Sequence, residues 1–175
     1  MTTSHFLASS LIRDVPDFPK PGIIFKDLCP VIANPTAYQE VVDALVEWIS
    51  ERAPDAVIGI ESRGFIFGAP AALAAGVKFI PARKPGKLPG EIVSSRYDLE
   101  YGTACVELQK DSIQRGERVV VIDDVLATGG TSAATVTLVE QLGGQLVGLA
   151  FVVELEFLEG RKLLSGHEVT SFIRY

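Results

Sequence analysis

The stretch VVVIDDVLATGGTSAATVTLVEQL, Val119–Leu142, decides how this chain is read. Val119–Ile122 is an apolar run bounded by charge, the pattern of a buried strand, and Gly130–Leu142 carries apolar residues at helical spacing. Between them stand two adjacent carboxylates, Asp123 and Asp124, then Ala127–Thr131, all small residues and including two glycines and two threonines. A buried strand feeding a helix through a tight turn is half of a βαβ unit.

Outward from that stretch the alternation repeats. AVIGI, Ala56–Ile60, reads as a buried strand, followed by the turn ESRG and the helix FIFGAPAALAAG. VKFIPA, ACVELQ, RVVVIDD, QLVGLAFVVELE and EVTSFIRY read as further strands, and FLEGRKLL as a short helical segment. Upstream, Asn34 and Pro35 form a helix start, and Tyr38, Val41, Val42, Leu45, Val46 and Ile49 share one face of the helix that follows. A short helix is expected over SHFLASSLIRDV, with Ser4 as its cap. RKPGKLPGEIVSSRYDLEYGT is dense in Gly, Pro, Ser and charge and is expected to be one long functional loop. Strand–helix alternation at this spacing predicts an α/β fold, a mostly parallel central sheet flanked by helices. The 175 residues, with no repeat or linker, are expected to form a single domain.

Composition bounds the function. Hydrophobic content of 47% with 22% charged residues is that of an ordinary globular chain. The two cysteines, Cys29 and Cys105, stand in no CxxC or Cys/His pattern, so reduced thiols are expected and no protein-held metal cluster. The start lacks a basic, then long apolar, leader pattern, and the longest apolar run, Leu146–Val153, is far short of a membrane span. A cytoplasmic chain with no membrane partner is expected. A net charge of −6 argues against a nucleic-acid partner. Yet Lys78–Tyr97 holds five basic residues and one acid, an island of +4 in a chain otherwise at −10. Such an island is either a solvated loop or a seat for a small, highly charged anion.

The turn after Asp123 and Asp124 carries the chemistry. Gly129 and Gly130 let the backbone approach a ligand closely, and the following helix offers its positive end. Thr128 and Thr131 add hydroxyls. This describes a phosphate cup over Ala127, Thr128, Gly129, Gly130 and Thr131, with no Walker lysine and no GxGxxG. Two acids beside such a cup can accept hydrogen bonds from vicinal sugar hydroxyls, which points to a ribose 5-phosphate. The plainer alternative is that the acids end a strand and the glycines only turn the chain.

VVVIDDVLATGGTS resembles the phosphoribosyl-pyrophosphate motif of type I phosphoribosyltransferases. DFPKPGIIFKDLCP, GIESRGFIFGAPAA, ARKPGKLPG and YDLEYGT follow in the order found in the adenine phosphoribosyltransferase family. The resemblance implies the type I fold, with a small N-terminal hood over the base site (residues 1–34) and a long flexible flap (about 82–104). It implies transfer of a phosphoribosyl group from phosphoribosyl pyrophosphate to adenine, giving AMP and pyrophosphate, with Mg²⁺ carried mainly by the substrate. Pyrophosphate contacts are implied for Glu61, Ser62, Arg63, Arg83, Lys84 and Lys87, with a cis peptide at Glu61–Ser62. Arg83 is implied to reach a neighbouring subunit's site, hence a homodimer. Glu100 is implied to handle the adenine proton, beside Arg63 and Tyr101. Phe25, Lys26 and Leu155 are implied to hold the adenine. Lys26 stands where many relatives carry Arg, so its role there is implied for the backbone rather than for a stacked guanidinium.

Two alternatives belong to other classes. Type I domains also occur as regulators that bind phosphoribosyl pyrophosphate without turnover, though these usually carry a DNA-binding domain for which this chain has no candidate. Within enzymes, the base could instead be xanthine, hypoxanthine or orotate.

Overall fold

The computed structural model describes residues 6–98 and 103–175. They fall into two compact units, one ending at Ala44 and one beginning at Leu45.

The first unit opens with α1 (Leu7–Leu11), shorter than expected and preceded by Phe6, which makes no side-chain cap; Ser4 lies outside the described residues. Residues 13–15, expected as helix, belong instead to β1 (Arg13–Pro16), which pairs antiparallel with β2 (Ile24–Asp27). Charge zips this ribbon: Arg13 meets Asp27 at 2.5 Å and Lys26 meets Asp14 at 2.6 Å, each pair directly opposed across the strands. Asp27 also accepts the Cys29 N–H, and that bond, with Arg13, holds its carboxyl down at about 2. α2 (Cys29–Ala33) follows, and then α3 begins at Pro35, where the Asn34 side chain accepts the Ala37 N–H at 3.1 Å. This is the expected cap.

In the second unit, α3 runs on to Arg52 and a five-stranded sheet is built from β3 (Ala56–Ile60), β4 (Lys78–Ala82), β7 (Arg118–Leu126), β8 (Gln145–Glu154) and β9 (Val169–Arg174). Their order is β4-β3-β7-β8-β9 and every pairing is parallel. Such a sheet requires apolar residues on both faces of its central strands, which explains why Ala56–Ile60 is buried throughout. The core gathers Ile58, Val121, Leu138, Leu149 and Phe151, all fully buried. α4 (Arg63–Ala75) packs on β3 and β7, and α5 (Gly130–Gln141) packs on β8. On α3, the Trp48 indole donates to Thr170 on β9 at 3.0 Å.

Two stretches differ from expectation. β7 runs through both acids as expected but continues two residues further, to Leu126, because its pairing with β8 goes on through Val125↔Val153 and Leu126↔Glu154. The supposed loop contains a strand, β5 (Ile92–Asp98), which pairs antiparallel with β6 (Thr103–Gln109). This ribbon is joined to the end of β4 by reciprocal backbone bonds between Arg83 and Glu107.

Strand order locates the site. From β3 the chain crosses over α4 to β4 on one side, while from β7 it crosses over α5 to β8 on the other. The crossovers therefore diverge between β3 and β7, and both turns open at the carboxyl ends of those strands. That crevice is where ligands bind in open α/β sheets.

Candidate functional site

Two turns face each other there. At the end of β3 the Glu61–Ser62 peptide is cis, as the resemblance implied, and Arg63 opens α4. At the end of β7 stand Asp123 and Asp124. Gly64 brings the turns together: a Cβ on it would lie 2.8 Å from the Ile122 carbonyl oxygen and 2.9 Å from Asp123 Oδ1. Any other residue would push α4 away from β7. With that approach permitted, Arg63 Nε sits 2.7 Å from Asp124 Oδ2.

The electrostatics are unusual. The Asp124 side chain is 5% exposed, and its Oδ2 has an ion-pair neighbour but no aligned hydrogen bond. Burial pushes the Asp123 carboxyl well above the usual carboxylate range, and the charge of Asp124 adds to the rise. Burial raises Asp124 too, against the pull of Arg63. Chemically, a buried carboxylate oxygen without an aligned donor, beside a half-exposed guanidinium, can accept a hydrogen bond from a ligand's hydroxyl.

The loop after β7 turns tightly into α5. Gly129 has a φ of +84° and a Cβ there would lie 2.5 Å from the Gly160 carbonyl oxygen; one on Gly160 would lie 2.2 Å from the Ala127 carbonyl oxygen. The loop thus rests backbone on backbone against the 3-10 turn Gly160–Leu164. No side chain caps α5, so its first amides remain open to an anion. Thr128 is exposed, and the Thr131 hydroxyl is 2.9 Å from that of Tyr97 on β5.

Beside the first turn, Glu61 joins the strand end to the basic island. Its carboxylate accepts the Lys84 N–H at 2.8 Å and two bonds from Arg83, at 3.2 and 3.3 Å. Burial raises its pKa, but these donors outweigh that and leave it lowered. Arg83 also donates to the Lys87 carbonyl at 3.1 Å. Lys84 further lines a cavity of about 340 Å³ with Arg96, Tyr97 and Cys105. Leu155 is half-buried just past β8, and its N–H donates to the Leu126 carbonyl.

In the first unit, Phe25 is half-buried on β2 with its ring edge-on to Phe18, centroids 5.1 Å apart. Lys26 beside it is tied to Asp14. Glu100 and Tyr101 lie outside the described residues. Sequence reasoning missed Gly64 and Gly160 as packing glycines and Tyr97 as the partner of Thr131. Only Gly64 carried a signal, as the fourth residue of ESRG.

Comparison with known proteins fits this geometry. The chain matches the phosphoribosyl transferase domain over residues 32–172. It belongs to the phosphoribosyltransferase family, in the adenine phosphoribosyltransferase branch. The adenine phosphoribosyltransferase of Desulfitobacterium hafniense is 53% identical over 164 residues, covering 94% of this chain and 95% of that one. The crystal structure of the Thermoanaerobacter pseudethanolicus adenine phosphoribosyltransferase superposes with a TM-score of 0.93 at 48% identity, over 96% of this chain and 98% of that one. The Saccharomyces cerevisiae enzyme, solved with D-2,5-dideoxy-2,5-imino-altritol 1,6-bisphosphate and adenine, gives 0.89 at 44% identity over 94% and 96%.

Proposed function

We propose that this chain transfers the 5-phosphoribosyl group of phosphoribosyl pyrophosphate to adenine, giving AMP and pyrophosphate, in purine salvage. The observation that carries this reading is the crevice between β3 and β7, where the Arg63–Asp124 pair stands beside the uncapped start of α5. In the reaction the bond from ribose C1 to the pyrophosphate oxygen breaks, a purine nitrogen bonds to C1, and adenine loses a proton. Positive charge develops at C1, as in glycoside cleavage, while several negative charges leave.

Each residue group has a task in that chemistry. Ala127–Thr131 and the start of α5 hold the 5-phosphate. Asp123 and Asp124 accept the ribose hydroxyls. Glu61, Ser62 and Arg63, with Arg83, Lys84 and Lys87, receive the pyrophosphate, and their positive charge lowers the cost of its departure. Arg83, which pairs with Glu61 of its own chain, also serves a neighbouring site in a homodimer. Phe25 and the backbone at Lys26 are assigned to adenine, and so is Leu155. The Lys26 side chain, engaged by Asp14, is compatible with a purely backbone role. Glu100 takes the adenine proton and Tyr101 orders the flap over residues 82–104, which excludes water from the ribosyl cation. Residues 1–34 act as the hood.

Among the described residues no three of His, Cys, Asp or Glu cluster as a metal cage. The two carboxylates at the crevice, one already paired to Arg63, fit a metal that arrives on phosphoribosyl pyrophosphate and stays largely hydrated. Bound this way, Mg²⁺ supplies neutralising charge to the pyrophosphate. Among the described residues no helix is long and apolar enough to cross a membrane; action in the cytoplasm, on small molecules, is part of the same proposal.

The test is AMP formation from adenine, phosphoribosyl pyrophosphate and Mg²⁺, with hypoxanthine, guanine, xanthine and orotate run alongside. Turnover with adenine only is expected. Turnover with another base would overturn the roles given to Phe25 and Leu155. Tight binding without turnover on any base would make the chain a sensor.

A further inference from the structure

We propose that Tyr97 is a positioning residue for the 5-phosphate of the substrate, acting through the hydroxyl of Thr131. The inference rests on the reading of Ala127–Thr131 as the phosphate cup. Tyr97 Oη and Thr131 Oγ1 are 2.9 Å apart, and the Tyr97 ring packs with Val93 of β5 against the core that α5 shares. The phenol therefore reaches the cup from an element 34 residues away in sequence, and β5 and α5 are in contact along this face. Thr131 is itself held in place, since its carbonyl accepts the Thr135 hydroxyl at 2.8 Å.

Hydrogen-bond accounting sets the direction. A hydroxyl has one proton to donate and can accept through its lone pairs, whereas a phosphate oxygen accepts. Without an anion the two hydroxyls can share their proton either way. Once Thr131 donates to phosphate, it can only accept from Tyr97. The phenol, which has a proton to give, then completes a chain from Tyr97 to Thr131 to phosphate. A chain of this kind polarises each bond and strengthens the one at its end. It also ties the β5–β6 ribbon, which carries the flap sequence, to occupancy of the cup.

The experiment is a double-mutant cycle read in KM for phosphoribosyl pyrophosphate at saturating adenine, with matched melting temperatures as the folding control. Thr131→Val is expected to raise this KM. Tyr97→Phe, which keeps the ring, is expected to raise it about three- to tenfold and to leave KM for adenine unchanged. In the Thr131→Val background, Tyr97→Phe is expected to change nothing further. If Thr131→Val fails to fold, Thr131→Ala takes its place. Additive effects, or an effect of Thr131→Val with none of Tyr97→Phe, overturn the role of Tyr97 and leave the cup standing. No effect of the Thr131 variant overturns the cup itself, and with it this inference.

Discussion

β7 and β8 lie side by side, and each carries a buried acid near its carboxyl end, Asp124 on one and Glu154 on the other. Both side chains are 5% exposed, and Asp124 is the more deeply enclosed of the two. Glu154 is met by the full fork of Arg161, at 2.6 and 2.7 Å, and the same guanidinium also donates to the Val169 carbonyl and the Ser171 hydroxyl. Burial pushes Glu154 up, but Arg161 and Ser171 outweigh it and leave the pKa lowered. Asp124 has a single ion pair at Oδ2 and no hydrogen bond there, and its pKa stays raised. One acid is satisfied within the fold; the other is held short of donors. Glu154 is thus neutralised by the fold itself, whereas Asp124 keeps one buried oxygen without an aligned hydrogen bond, the difference that underlies its proposed role in binding.

The comparison breaks most visibly at Asp124. Asp124→Asn is expected to lower kcat/KM for phosphoribosyl pyrophosphate by about ten- to hundredfold, the loss of charge-assisted hydrogen bonds to the ribose. Its urea midpoint should hold or rise. The folded pKa lies above the unfolded one, so the stabilising contribution of this group is present below the unfolded value and is lost as pH rises through the folded value. At neutral pH the carboxylate is a burden, and the amide removes it. A variant with intact kinetics and a collapsed midpoint would make Asp124 a structural acid like Glu154.

Arg161→Ala should do the reverse. It leaves a buried carboxylate without its main partner, at a cost of about 3 kcal/mol in urea unfolding. Glu154 has a folded pKa below its unfolded one, so its stabilisation is present above the unfolded value and is lost as pH falls through the folded value. Wild-type stability should therefore decline on the acid side of the ordinary glutamate range, and the decline should flatten in Arg161→Ala. An unchanged acid limb would mean that the pair contributes nothing.

How much of this contrast the sequence displayed depends on the distance over which each feature is decided. The buried strands were legible because their apolar runs are local: AVIGI can hardly be anything else once it lies between charges. The tight turn from β7 into α5 was legible because it needs its glycines at fixed positions. The last two residues of β7, Val125 and Leu126, were not, since a strand that reaches two charges reads as ending there until its neighbour is known to continue beside it. β5 was missed because IVSSRYD follows a stretch dense in Gly and Pro, and few of its residues, Val93 and Tyr97, turn apolar surface to the core. The Gly160 contact with the cup and the Tyr97–Thr131 pair depend on tertiary approach, which no local pattern encodes. Glu154 and Arg161, seven residues apart across the turn that follows β8, fall in the same class.

The finest version of the comparison lies in Arg174, a second cation near Glu154. Its Nε is 3.8 Å from the carboxylate, its side chain is 53% exposed, and it also faces Glu156 at 3.6 Å. If proximity of charge alone satisfied Glu154, the two arginines would matter comparably. Geometry argues otherwise: Arg161 makes two parallel hydrogen bonds to a dry carboxylate, while Arg174 stands outside hydrogen-bond distance in solvent, where ion pairs are screened. Arg174→Ala is therefore expected to cost only about 0.5 kcal/mol in urea unfolding and to leave the acid limb of stability in place. A loss close to that of Arg161→Ala would show that Glu154 is held by summed charge rather than by directed bonds. The single ion pair at Asp124 would then count as satisfaction too, and the contrast between the two strand ends would disappear.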